Sequence, residues 1–170
     1  MDLVFAWIED GALGTWIRES TSIFGFPAIV VLHTLGMGFL AGTNAAIDLR
    51  ILGIARRIPL ASMAKFLPVL WIALAVNVAT GVLLVIAYPT KALTNPVFYL
   101  KLALIALGLV ILQMIRNEVL CHPDTDQHRL GRRATTLAAA SLLVWIAAIT
   151  AGRLLAYTHT WEMLGIPAIS

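Results

Sequence analysis

Four stretches of this 170-residue chain are apolar for the length of a membrane crossing, and nothing else in it constrains the fold as strongly. Residues 24–47 and 66–88 contain no Asp, Glu, Lys or Arg; 96–115 contains only Lys101, and 134–156 only Arg153 near its end. A helix needs about 20 such residues to cross a hydrocarbon core about 30 Å thick. Within lipid the backbone must satisfy its own hydrogen bonds, which a helix does inside one segment. The expected fold is therefore all-α: a transmembrane four-helix bundle in one membrane domain, residues 1–170. Composition agrees, with 60% hydrophobic and 12% charged residues and a mean hydropathy of +0.89.

The first residues read differently. Val4, Trp7, Ile8, Leu13, Trp16 and Ile17 recur at helical spacing, and Asp2, Glu9 and Asp10 argue against a signal peptide. A short amphipathic helix lying in the membrane interface is expected there. Pro27, Pro68 and Pro96 fall in first helical turns, and Pro89 helps to end the second span. The short connection 89–95 predicts that spans two and three are antiparallel neighbours.

Basic residues set the orientation. Arg50, Arg56, Arg57 and Lys65 lie in one connection and Arg116, Arg129, Arg132 and Arg133 in another, against Arg18, Lys91 and Arg153 on the other side. This bias places both basic loops in the cytoplasm and both termini outside, as in a multi-pass protein of the bacterial inner membrane. The net charge of +3 thus reports topology and gives no reason to expect nucleic-acid binding.

His33 stands alone in an uncharged run, and an ionisable side chain inside a span is by default a functional candidate. From the helical rise, His33 lies about 13 Å inward, Thr80 about 12 Å, Asn77 about 16 Å and Lys101 about 8 Å. Thr150 and Arg153 close span four in the same outer half. Three roles are open to His33: axial ligand to haem iron, donor to a quinone or proton carrier, or structural partner of Asn77 or Thr80. Lys101 either snorkels to the interface or turns inward; Arg153 is either an interfacial anchor or a contact to a propionate, phosphate or quinone carbonyl. A second axial ligand is the weak point of the haem reading. His159, beyond span four, supplies one only if the chain folds back.

Asn44 and Asp48 share a helix face with His33 but lie near the cytoplasmic end, where solvated polar groups are ordinary; an inner polar site is the alternative. Gly38 and Gly42 form a GxxxG pair suited to helix packing, or to room for a flat ligand. Cys121, His122, Asp124 and His128 fit no standard zinc spacing and read as a solvated loop. No Ser-His-Asp set, phosphate loop or intramembrane carboxylate pair is visible, so nothing positive points to catalysis.

Taken in order, His33, Gly42-Thr43, Asp48-Leu49-Arg50 with Leu52-Gly53, Thr80 to Leu84, Asn95 with Phe98 and Lys101, Asn117, Ser141, Trp145, Gly152-Arg153, Ala156 and Tyr157 form a pattern. It resembles an uncharacterised family of small bacterial four-helix membrane proteins. The Phe-x-x-Lys entry to span three is more remotely similar to copper-resistance-D-type proteins and four-helix b-type cytochromes. Those relatives imply haem b or metal handling, although the cytochromes use paired histidines and this chain has one in its spans.

The sequence thus points to a haem-binding or electron-transfer membrane subunit, with His33 as ligand and Lys101, Arg153, Asn77, Thr80 and His159 around it. Its partners would be other membrane or periplasmic redox proteins, or a second copy. The competing reading is a non-enzymatic accessory subunit of a membrane complex. A carrier for a small solute ranks last.

Overall fold

The computed structural model describes residues 7–8, 10–54, 56–120 and 131–163, and all regular structure among them is helical. The helices are α1 (Ala12–Glu19), α2 (Phe26–Ile51), α3 (Leu60–Ala64), α4 (Leu67–Ala87), α5 (Pro89–Leu93), α6 (Pro96–Ile115) and α7 (Arg132–Met163). A π-helical turn, Arg116–Leu120, prolongs α6. Among the described residues four helical segments are long and apolar enough to cross a membrane: Phe26–Ile51, Leu60–Ala87, Pro96–Leu120 and Arg132–Leu155.

The prolines start helices as expected, occupying the first two positions of α2, α4, α5 and α6. The side chain of Asn95 caps α6 by accepting from the Val97 amide at 2.9 Å. The first span extends past residue 47 because Asp48 and Arg50 do not stop a helix; Gly53 does. Its φ of +96° puts it in the left-handed region, Gly53 N–H donates to Arg50 O and Ile54 N–H to Leu49 O. That pairing is a Schellman cap, which satisfies carbonyls that the helix end would otherwise leave orphaned.

Large apolar side chains face outward, among them Val31, Phe39, Ile72, Leu107 and Leu143, and small residues face inward, including Ala41, Ala73, Ala138, Ser141 and Ala148. Lipid tails are as apolar as leucine, so the bundle gains by close packing rather than by hiding hydrophobes. Gly36 shows this: a Cβ there would lie 3.1–3.3 Å from Ala73 O and from Asn77 N and Cβ. Gly38 and Gly42, by contrast, have nothing within 4 Å of an added Cβ, so the predicted GxxxG pair does not pack within the chain.

Packing does not follow sequence order. α2 lies against α4 and α7, and α6 against α7, whereas α4 and α6 share no extensive contact. The expectation that spans two and three are packed neighbours is therefore corrected. The α4–α5–α6 connection brings them side by side in the chain, but the small-residue faces that permit close approach, at Gly36 and Gly108, point to α4 from α2 and to α7 from α6.

At the end of the bundle opposite the basic connections, α1 packs on α4. Ile17, Ile29 and Ala87 form a small buried cluster, and the Arg18 guanidinium donates to Ala87 O at 2.9 Å, satisfying a carbonyl at the C-terminus of α4. Trp16 remains exposed, consistent with an amphipathic element at the interface. The expected helix is thus realised over Ala12–Glu19; residues 1–6 and 9 lie outside the described residues. At the basic end, α3 and the π-helical turn fold over the bundle, where Leu60, Met63 and Val119 join Ile47, Ile51 and Ile115.

Candidate functional site

The sequence places His33, Asn77, Thr80 and Lys101 at similar depth, and the structure brings them into one network. His33 Nδ1 is 3.0 Å from Thr80 Oγ1. The Thr80 hydroxyl has one proton, and it donates to Val76 O at 2.7 Å, with Asn77 O at 3.2 Å. Its oxygen is therefore the acceptor for His33, which fixes the proton on Nδ1 and leaves the Nε2 lone pair free to accept. Lys101 Nζ, with donors only, lies 3.3 Å from Nε2 and supplies that bond. One imidazole thereby links three helices.

Asn77 acts on the backbone instead: its Nδ2 donates to His33 O at 2.8 Å, tying α4 to α2 at this level. Two glycines make room. A Cβ at Gly81 would lie 3.3 Å from His33 Cε1, and one at Gly152 would lie 3.5 Å from Lys101 Cε. Lys101 therefore turns inward rather than snorkelling, passing Gly152 of α7 to reach His33 of α2. Both His33 and Lys101 remain partly exposed.

Two expected members of this layer are elsewhere. Thr150 is exposed, and its hydroxyl bonds back to Ile146 O at 2.8 Å. Arg153 is exposed on the outer side of α7, where an interfacial anchor belongs, and takes no part in the network. α7 continues as helix to Met163 without folding back, so it carries the backbone of His159 about 10 Å beyond Gly152 along the helix axis. The side chain of His159 and the group Cys121, His122, Asp124 and His128 lie outside the described residues.

The donor set does not fit a six-coordinate haem b. Nε2, the atom that would ligate iron, already accepts from Lys101, and no second imidazole reaches this level among the described side chains. No group of three or more His, Cys, Asp or Glu side chains among the described residues is arranged to hold a metal ion.

A second polar group lies nearer the basic end. Asn44 and Asp48 of α2 are each 1% exposed, and Ser141 of α7 is 0% exposed, so the expectation of a solvated end is corrected. α7 packs against α2 at this level, and Leu60, Met63 and Val119 of α3 and the π-helical turn join the core at the same end, an arrangement that depth along the helix does not reveal. Ser141 lies beside the Asp48 carboxyl. Three buried oxygens here have no hydrogen-bond partner of ordinary geometry: Asn44 Oδ1, Asp48 Oδ2 and Ser141 Oγ; Trp145 Nε1, one turn from Ser141, is also without one but lies against Gly108 of α6. Sequence reasoning missed the α7 half of this group. Its signal was the Ser141/Trp145 pair, four residues apart like Asn44/Asp48 and therefore on one helix face.

The comparisons bear on the family alone. No curated protein and no solved structure matches the chain, and similarity to copper-resistance-D-type proteins or to b-type cytochromes is not shown. The model described as a family of unknown function, DUF6644, matches residues 4–158, and the chain belongs to that family.

Proposed function

We propose that this chain is a membrane subunit that binds the carbonyl-bearing head of a lipid-soluble small molecule at the His33–Lys101 pair, quinones being the redox-active class of such molecules. The observation that carries the reading is the inward course of Lys101. A lysine this close to a span end reaches water at little cost by snorkelling, so an ammonium held at His33 needs an interaction that rewards the inward position. The bond to Nε2 uses one of its three N–H groups. The others are suited to a ligand oxygen entering from lipid between α4 and α6, where the two helices do not close against each other. The electron-transfer role expected from the sequence is kept in this form, with the organic ligand in place of haem b. The excess of basic residues at one end supports an inner-membrane orientation with that end in the cytoplasm and both termini periplasmic.

The test is solvent extraction of purified protein followed by mass spectrometry, comparing wild type with Lys101→Met, which keeps the stem and removes the donors. A carbonyl-bearing amphiphile recovered at fixed stoichiometry from wild type and depleted in Lys101→Met is expected. Identical extracts, or a Soret absorption band lost in His33→Ala, overturn the reading. An accessory-subunit role finds its own support in the exposed, unpacked Gly38/Gly42 face of α2; copurification of a partner that Gly38→Leu abolishes would favour it.

A further inference from the structure

The buried group between α2 and α7 asks for a guest of a particular kind. Asp48 is 1% exposed, and no Lys, Arg or His among the described residues pairs with its carboxyl. A carboxyl group in such a place either holds a proton or has a compensating positive charge beside it. The side chains around it supply oxygen. The Asn44 amide is oriented by its Nδ2 donating to Leu40 O at 3.0 Å, which leaves Oδ1 unpartnered on the face it shares with Asp48. Ser141 adds Oγ from the opposing helix, directly beside the Asp48 carboxyl.

We infer that Asp48, Asn44 and Ser141 form a binding site for a small monovalent cation of the sodium class. Hard cations take carboxylate, amide and hydroxyl oxygens in preference to nitrogen or sulfur, and all three types are present. The charge balance selects the valence: one carboxylate neutralises one positive charge, whereas a divalent ion would leave a net charge buried among Ile47, Ile51 and Leu60. Because two of the ligands are on α2 and one on α7, the ion clamps these helices together. It lies 15 residues along α2 from His33, about 22 Å by the helical rise, and so is separate from the His33–Lys101 pair.

Thermal unfolding of the full-length protein in detergent tests this, with sodium chloride titrated against choline chloride at constant ionic strength and fixed pH. Sodium is expected to raise Tm, with increments per tenfold rise in concentration that become equal once the concentration is well above Kd. Asp48→Asn keeps the side-chain shape and removes the charge, and it should abolish the sodium dependence; Ser141→Ala should shift the response to higher sodium. The same Tm in sodium and choline overturns the proposal, as does an unchanged sodium response in Asp48→Asn. If Asp48→Asn fails to fold, Ser141→Ala with an unaltered midpoint also overturns it.

Discussion

Replacing Thr80 by valine isolates a single bond in the outer network. The two side chains have nearly the same shape, so packing between α2 and α4 is preserved. The hydroxyl's proton goes to Val76 O in its own helix, and that carbonyl also accepts within the helix. What the substitution removes across the interface is the acceptor for His33 Nδ1, 3.0 Å away. A buried donor left unsatisfied costs about 1–3 kcal/mol in water-soluble proteins, while side-chain hydrogen bonds within membrane proteins average about 0.6 and reach about 1.7 kcal/mol. His33 is only partly buried, which moves the expectation to the lower part of both ranges. Thr80→Val should therefore destabilise the fold by about 1 kcal/mol, roughly a fivefold change in the unfolding equilibrium. Unfolding in mixed micelles of increasing denaturing detergent measures this, and Thr80→Ser, which retains Oγ, should recover most of the loss. Nitrogen chemical shifts of the imidazole give an independent check: wild type should show the proton on Nδ1, and Thr80→Val should weaken that preference. Thr80→Val as stable as wild type, or a wild-type imidazole protonated on Nε2 alone, would refute the proton assignment and with it the view that Lys101 donates to His33.

The glycines give sharper contrasts. Gly108→Ala would put a Cβ 3.0–3.2 Å from the Trp145 indole, and Gly36→Ala would put one 3.1–3.2 Å from backbone atoms of α4. Each should lower stability by about 1–3 kcal/mol in the same micelle assay, the usual range for overpacking. Gly38→Ala meets nothing within 4 Å and should leave the isolated chain's stability unchanged or slightly raised, since alanine is the better helix former. Asn95→Ala removes the cap of α6 and should cost about 1 kcal/mol; no loss of stability would show that the α5–α6 corner is held by other contacts.

The proline positions and the charge-free runs were enough to read four spans and most of their boundaries, because each acts through the backbone of its own segment; the end of the first span, set by Gly53, was read too early. Helix ends are decided by local carbonyls and amides. The shared depth of His33, Asn77, Thr80 and Lys101 was legible for the same reason, since depth follows from counting residues along a helix. Depth does not fix rotation, and that is where reading by depth failed. Thr150 and Arg153 lie in the correct half of the bundle but point away from it.

What the sequence determined by itself was the medium: long apolar runs can be satisfied only as helices in lipid, whatever their neighbours. Which helices touch was settled only in three dimensions, because the tight contacts depend on where Gly36, Gly108 and the alanine faces meet large partners. The same applies to the Asp48 group. Its burial comes with the packing of α7 on α2, distant in sequence, at a helix end which counting along the chain assigns to water. Burial is a property of the whole packing arrangement, and a single helix does not encode it.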